Sequence, residues 1–168
     1  RNRAKKETTI EIPRTDPPAQ MLDILVEGMG RINFGQHMID RKGVTDRVTL
    51  NGMTLMDWEV FPLPMEARNI AALKFQEARG ESHAPGTYFQ SAFNLDATGD
   101  TYIDMSRWKK GVVWVNGHNL GRFWEIGPQR RLYCPATFLK TGKNEIIVFE
   151  MLGTAPAPLR GMKSLEED

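Results

Sequence analysis

Apolar and polar residues alternate with a period of two through much of the chain. Thr8, Ile10 and Ile12 alternate with Thr9 and Glu11, which places them on opposite faces of a strand. Leu22 to Val26 reads as a strand core, ended by the glycines of EGMGR. Val48 and Leu50 lead into Asn51-Gly52 and then Met53, Leu55 and Trp58. Asn-Gly between strand-like runs predicts a hairpin, because a type I′ turn needs positive φ at both central positions. The device recurs at Asn116-Gly117, directly after VVWV. Tyr88 to Leu95 and Thr101 to Met105 read as strands joined by a turn at Ala97 to Asp100. Thr141 to Asn144 makes a further turn before a strand from Glu145 to Glu150.

Three segments depart from this pattern. Glu66 to Arg79 fits a helix on Ile70, Leu73, Lys74 and Glu77, and equally a strand ending near Phe75. Gly80 to Gly86 is a Gly/Pro loop. Residues 154–168 lose the pattern, end in SLEED, and are expected to form a loop or frayed end. Short strands with a turn signal every dozen or so residues predict an all-β sandwich or barrel. Pro62 and Pro64 interrupt the run, so a boundary is expected between Phe61 and Glu66. Before it lie about four strands, too few to bury a core alone.

Composition narrows the function classes. The 168 residues are 40% hydrophobic and 26% charged, with a net charge of +1. Nothing in that balance draws the chain to nucleic acid or a membrane surface. The longest apolar runs, such as Ile24 to Val26 and Val112 to Val115, fall far short of the ~20 residues of a spanning helix. A single cysteine, Cys134, excludes an internal disulfide and a Cys-based zinc site. Its setting between Tyr133 and Pro135 predicts a small buried filler. The opening RNRAKKETTIEIP, without Met or an apolar signal region, reads as a chain that starts partway through something.

Candidate chemistry is sparse. Glycoside hydrolysis by carboxylates needs two acids about 5–10 Å apart. Glu27, Asp40, Asp46, Asp57, Glu59, Asp96, Asp104, Glu125 and Glu150 are scattered, and read as surface acids or turn caps. His37, His83 and His118 have no short-range metal or triad partners, and no G-x-S-x-G elbow is present. The richest stretch is VVWVNGHNLGRFWEIGPQRRLYCP, residues 112–135. Trp114, Phe123, Trp124 and Tyr133 offer stacking surfaces for a sugar ring, and Asn116, His118, Asn119 and Arg122 offer hydrogen bonds. The same residues also suit the turn and inner face of a sandwich. Alternation separates Trp114 from Val113 and Val115 and favours it as core, facing a second sheet. Phe123 and Trp124 must point to opposite faces. One of the two is thus left to meet solvent, a ligand or another domain, and Trp124 is the candidate of the pair for a sugar or a neighbouring domain.

Three blocks carry a family resemblance: LDILVEGMGRINFGQHMIDRKGV, DWEVFPLPM and DTYIDMSRWKKGVVWVNGHNLGRFWEIGPQRRLYCPATFLKTGKNEIIVFEM. Together they resemble the C-terminal region of glycoside hydrolase family 35 β-galactosidases, over most of residues 7–153. The resemblance implies a TIM barrel followed by two jelly-roll β-sandwich domains of the galactose-binding-like type. It assigns residues 1–62 to the C-terminal part of a first, truncated β-sandwich, 63–153 to a second jelly roll, and 154–168 to a tail. The family's catalytic glutamates belong to the barrel, so no position here inherits them and no cofactor or metal is implied. The implied role is a non-catalytic brace for the barrel of a retaining β-galactosidase. A free-standing galactoside-binding module, using Trp124, Arg122, Asn119, His118 and Asn116, is the alternative. The partners implied are the barrel of the same parent, weakly bound galactosides, and another copy through self-association. The family's members are secreted, periplasmic or lysosomal.

Overall fold

The computed structural model describes residues 9–12, 21–28, 30, 33–39, 43–77 and 84–165. The chain divides into two compact units, Arg1–Glu59 and Val60–Asp168.

In the first unit a hairpin forms where Asn51-Gly52 predicts it. Strands β1 (Thr49–Leu50) and β2 (Met53–Thr54) pair antiparallel across the turn. Asn51 and Gly52 have φ of 49° and 84°, the geometry a type I′ turn demands. Among the described residues the other strand signals of this unit form no strand, and Thr8 lies outside them. Residues 9–12 and 21–26 have no regular secondary structure, and among the described residues no strand pairs with them. Ile10, Ile12, Leu22, Ile24, Leu25 and Val26 are all exposed. Alternation decides which face a residue would present. It supplies no neighbouring strand, and an unpaired strand does not persist in water.

The second unit is an antiparallel two-sheet β-sandwich, the all-β class expected. Its strands are β3 (Thr87–Leu95), β4 (Thr101–Asp104), β5 (Lys110–Val115), β6 (His118–Trp124), β7 (Arg131–Cys134), β8 (Gly142–Glu150) and β9 (Arg160–Met162). One sheet has the order β3-β8-β5-β6 and the other β7-β4-β9. Between the sheets pack Ile103, Met105, Trp108, Val113, Val115, Phe123, Leu132, Cys134, Leu139, Ile146 and Val148. The ambiguous 66–79 segment, described as far as Glu77, makes a single helical turn, α1 (Ala67–Ala71), and then continues without regular secondary structure. It covers the outer face of the larger sheet, where Ile70 packs with Val112, Trp114, Ile147 and Phe149.

Two expectations change here. Residues 154–168 were expected to be a loop or frayed end, yet they carry β9, which pairs with β4 and buries Met162. RGM is too short for periodicity to reveal. Trp114 is buried, but on the face under α1 and not between the sheets. Both faces of β5 are covered, so VVWV is buried throughout. Alternation sorted the faces correctly and did not tell which one the second sheet takes.

Candidate functional site

The five residues singled out for sugar contact all lie on the β5–β6 hairpin, and the hairpin separates them. Asn116 and Gly117 form its two-residue turn, with φ of 48° and 82°. The Asn116 side chain is fully used. Its Nδ2 donates to the Phe138 carbonyl (2.7 Å) and to Asn144 Oδ1 (2.8 Å), and its Oδ1 accepts from the Glu145 N–H (3.0 Å). Asn144, itself buried, also accepts from the Lys140 N–H and donates to the Lys140 and Gly142 carbonyls. These two asparagines lock the hairpin tip to the β7–β8 connection. His118 lies flat on Phe138, with ring centroids 4.0 Å apart and planes at 6°. Asn119 accepts from the Gly121 N–H at 2.7 Å. That bond holds a bulge, where the β5–β6 register shifts between Val113 and Trp114 and Gly121 takes φ of 109°.

Arg122 and Trp124 stand at the other end. His118 and Trp124 are six residues apart along β6, about 20 Å at strand rise. Arg122 and Trp124 share a face, and Phe123 points the opposite way into the core, as alternation predicts. The half-buried Trp124 indole lies under Lys110, whose Nζ sits 4.2 Å from the ring centre. Beside it Lys109 pairs with Glu125 at 2.8 Å. Glu125 holds the Lys109 ammonium above its ordinary pKa, chiefly through that hydrogen bond. The turn 124–129 closes on itself: Gly127 N–H donates to the Trp124 carbonyl and Trp124 N–H to that of Gln129.

Two further polar groups matter, and sequence reasoning missed both. Glu150 ends the apolar run IIVF and is 1% exposed. Its carboxylate accepts from four backbone N–H groups, those of Lys109, Lys110, Leu152 and Gly153. It therefore fastens the start of β5 to the chain leaving β8. Nothing in the sequence separates this glutamate from a surface acid. Asp100 accepts from the Ala136 N–H at 2.8 Å. That bond, then the Tyr133 hydroxyl, holds its carboxyl below the usual range, and Asp100 in turn raises the Tyr133 phenol.

The remaining candidates carry no visible chemistry. Cys134 is a buried free thiol, as predicted, and burial pushes its pKa to about 11. Among the described residues no three His, Cys, Asp or Glu side chains gather to hold a metal. No described helix is long and apolar enough to cross a membrane. His83 and the side chain of His37 lie outside the described residues.

Two family models match, one to each end of the chain. The β-galactosidase first all-beta domain covers residues 2–64. The β-galactosidase galactose-binding domain covers residues 86–144, from the start of β3 to the start of β8. These are β-domains of the β-galactosidase family. Relatives agree across organisms. Beta-galactosidase 1 of Dictyostelium discoideum is 38% identical over 84% of this chain. The mouse Beta-galactosidase is 40% identical over 77%, and Beta-galactosidase 17 of Arabidopsis thaliana 36% identical over 77%. The chain spans only 22%, 23% and 21% of those proteins' respective lengths.

Proposed function

We propose that this chain is a non-catalytic β-domain region that braces the catalytic barrel of a β-galactosidase acting on terminal β-linked galactose. The observation that carries the reading is the use of the hairpin's polar groups. Asn116 spends its side-chain hydrogen bonds on Phe138, Asn144 and Glu145, and the Asn119 Oδ1 is taken by the Gly121 N–H at the bulge. His118 is stacked on Phe138. Asn116 and His118 stand the length of β6, about 20 Å, from Trp124, so the five do not converge on one ring. A sugar site needs stacking and hydrogen bonding on the same ligand. The barrel and its two glutamates are the partner this role requires.

A binding module is the rival reading, and the half-buried Trp124 indole favours it. Calorimetric titration of the chain with galactose and lactose separates the two, with Trp124→Ala alongside. The brace predicts no saturable heat from a folded sample. Millimolar or tighter binding that disappears in Trp124→Ala sinks the brace as the whole account and makes the Trp124 corner a sugar site.

A further inference from the structure

The second unit protects its sheet edges unevenly. Edge strands invite pairing with other chains, and proteins blunt them with charge, proline, bulges or shortness. β6 has Arg122 and the bulge at Gly121. β7 has Arg131. β9 has Arg160 and is three residues long. β3 has none of these devices. Its nine residues, TYFQSAFNL, include no charge and no proline. They pair with β8 in unbroken register, from Thr87 opposite Glu150 to Leu95 opposite Gly142. Among the described residues no strand pairs with the other edge of β3.

The groups on that edge follow from the ladder. Asn116 N–H donates to the Glu145 carbonyl, so the Glu145 backbone faces β5. Backbone groups alternate in direction along an antiparallel strand. Ile146 and Val148 therefore face β3, opposite Ser91 and Phe89. The N–H and C=O groups of Tyr88, Gln90, Ala92 and Asn94 then point away from β8.

We propose that this edge pairs with β3 of a second copy, antiparallel and centred on Ser91, joining the two larger sheets into one. The register is self-complementary. About a two-fold axis at Ser91, Tyr88 meets Asn94 and Gln90 meets Ala92, each an outward hydrogen-bonding residue facing another. The contact is isologous, so it closes at a dimer. On the core side Phe89 comes opposite Phe93 of the second copy. Both are only half-buried against the sandwich core, so pairing extends that core across the junction.

Sedimentation of the full chain tests this with three variants. Ala92→Pro removes an outward N–H and leaves the β8 ladder its bonds. Ser91→Lys sets two like charges face to face at the axis and keeps every backbone group. Each should weaken a concentration-dependent dimer at least about tenfold, with circular dichroism unchanged. Ser91→Cys should oxidise to a disulfide-linked dimer, because a non-hydrogen-bonded antiparallel pair sets Cα atoms about 4.5 Å apart. Ser106→Cys, also exposed, should not. A chain that stays monomeric at high concentration overturns the proposal. So does association that survives both Ala92→Pro and Ser91→Lys.

Discussion

The two units begin from similar sequence signals and end differently. LDILV in the first is as apolar as EIIVF in the second. Yet no described residue before Ile70 is buried, and the whole run Ile146–Glu150 is. What β8 has is neighbours. β3 and β5 pair with its two edges, and the 65–75 segment and the smaller sheet cover its two faces. Among the described residues no strand pairs with 21–26. Burial here comes from assembly, and a segment's own apolarity does not secure it.

The contrast is tested most severely at Gly111, where strands meet most closely. A Cβ there would stand 1.7 Å from the Phe149 carbonyl oxygen and 2.9 Å from the Phe123 ring. Backbone cannot yield as a flexible side chain can. Gly111→Ala should cost about 4–5 kcal/mol or more and remove the cooperative melt of the second unit. The hairpin glycine Gly52 meets nothing within 4 Å. A Gly111→Ala chain that melts like the parent would mean that the second unit's packing is no tighter than the first's.

A smaller effect comes from Cys134, which the first unit has no counterpart for. Its thiol pKa rises from 9.0 to about 11 on folding, through burial first and then the Asp100 charge. Between those values the unfolded chain releases a proton that the folded chain keeps. Stability attached to this group is whole below pH 9 and is lost as pH rises toward 11. A thiol reagent at pH 8 should label the native chain only as fast as it opens. Rapid stoichiometric labelling without denaturant would show that the sandwich core is accessible.

The legible part of this molecule was local. Asn-Gly located both hairpins, because positive φ is a property of two adjacent residues. Alternation put Phe123 and Trp124 on opposite faces for the same reason. What stayed hidden was long-range. Glu150 gathers amides from residues 109–110 and 152–153, and a sequence gives no sign that these meet. The polar candidates were drawn together by closeness in sequence, which on a strand means separation in space. Asn116 looked available for a ligand only because Phe138 and Asn144, its partners, lie 22 and 28 residues away.

The finest test matches two isoleucines. Ile147 is 3% exposed on β8, and Ile10 is 72% exposed in a segment whose alternation also predicts a strand. Ile147→Ala removes packing against Trp114 and Phe149 and should cost about 2–5 kcal/mol, read from denaturant melts. Ile10→Ala removes surface that water already touches and should stay within about 0.5 kcal/mol. A large cost at Ile10 would show that the 9–12 segment finds a partner in solution. The difference between the units would then be one of assembly state, with the first unit closing only when another strand reaches it.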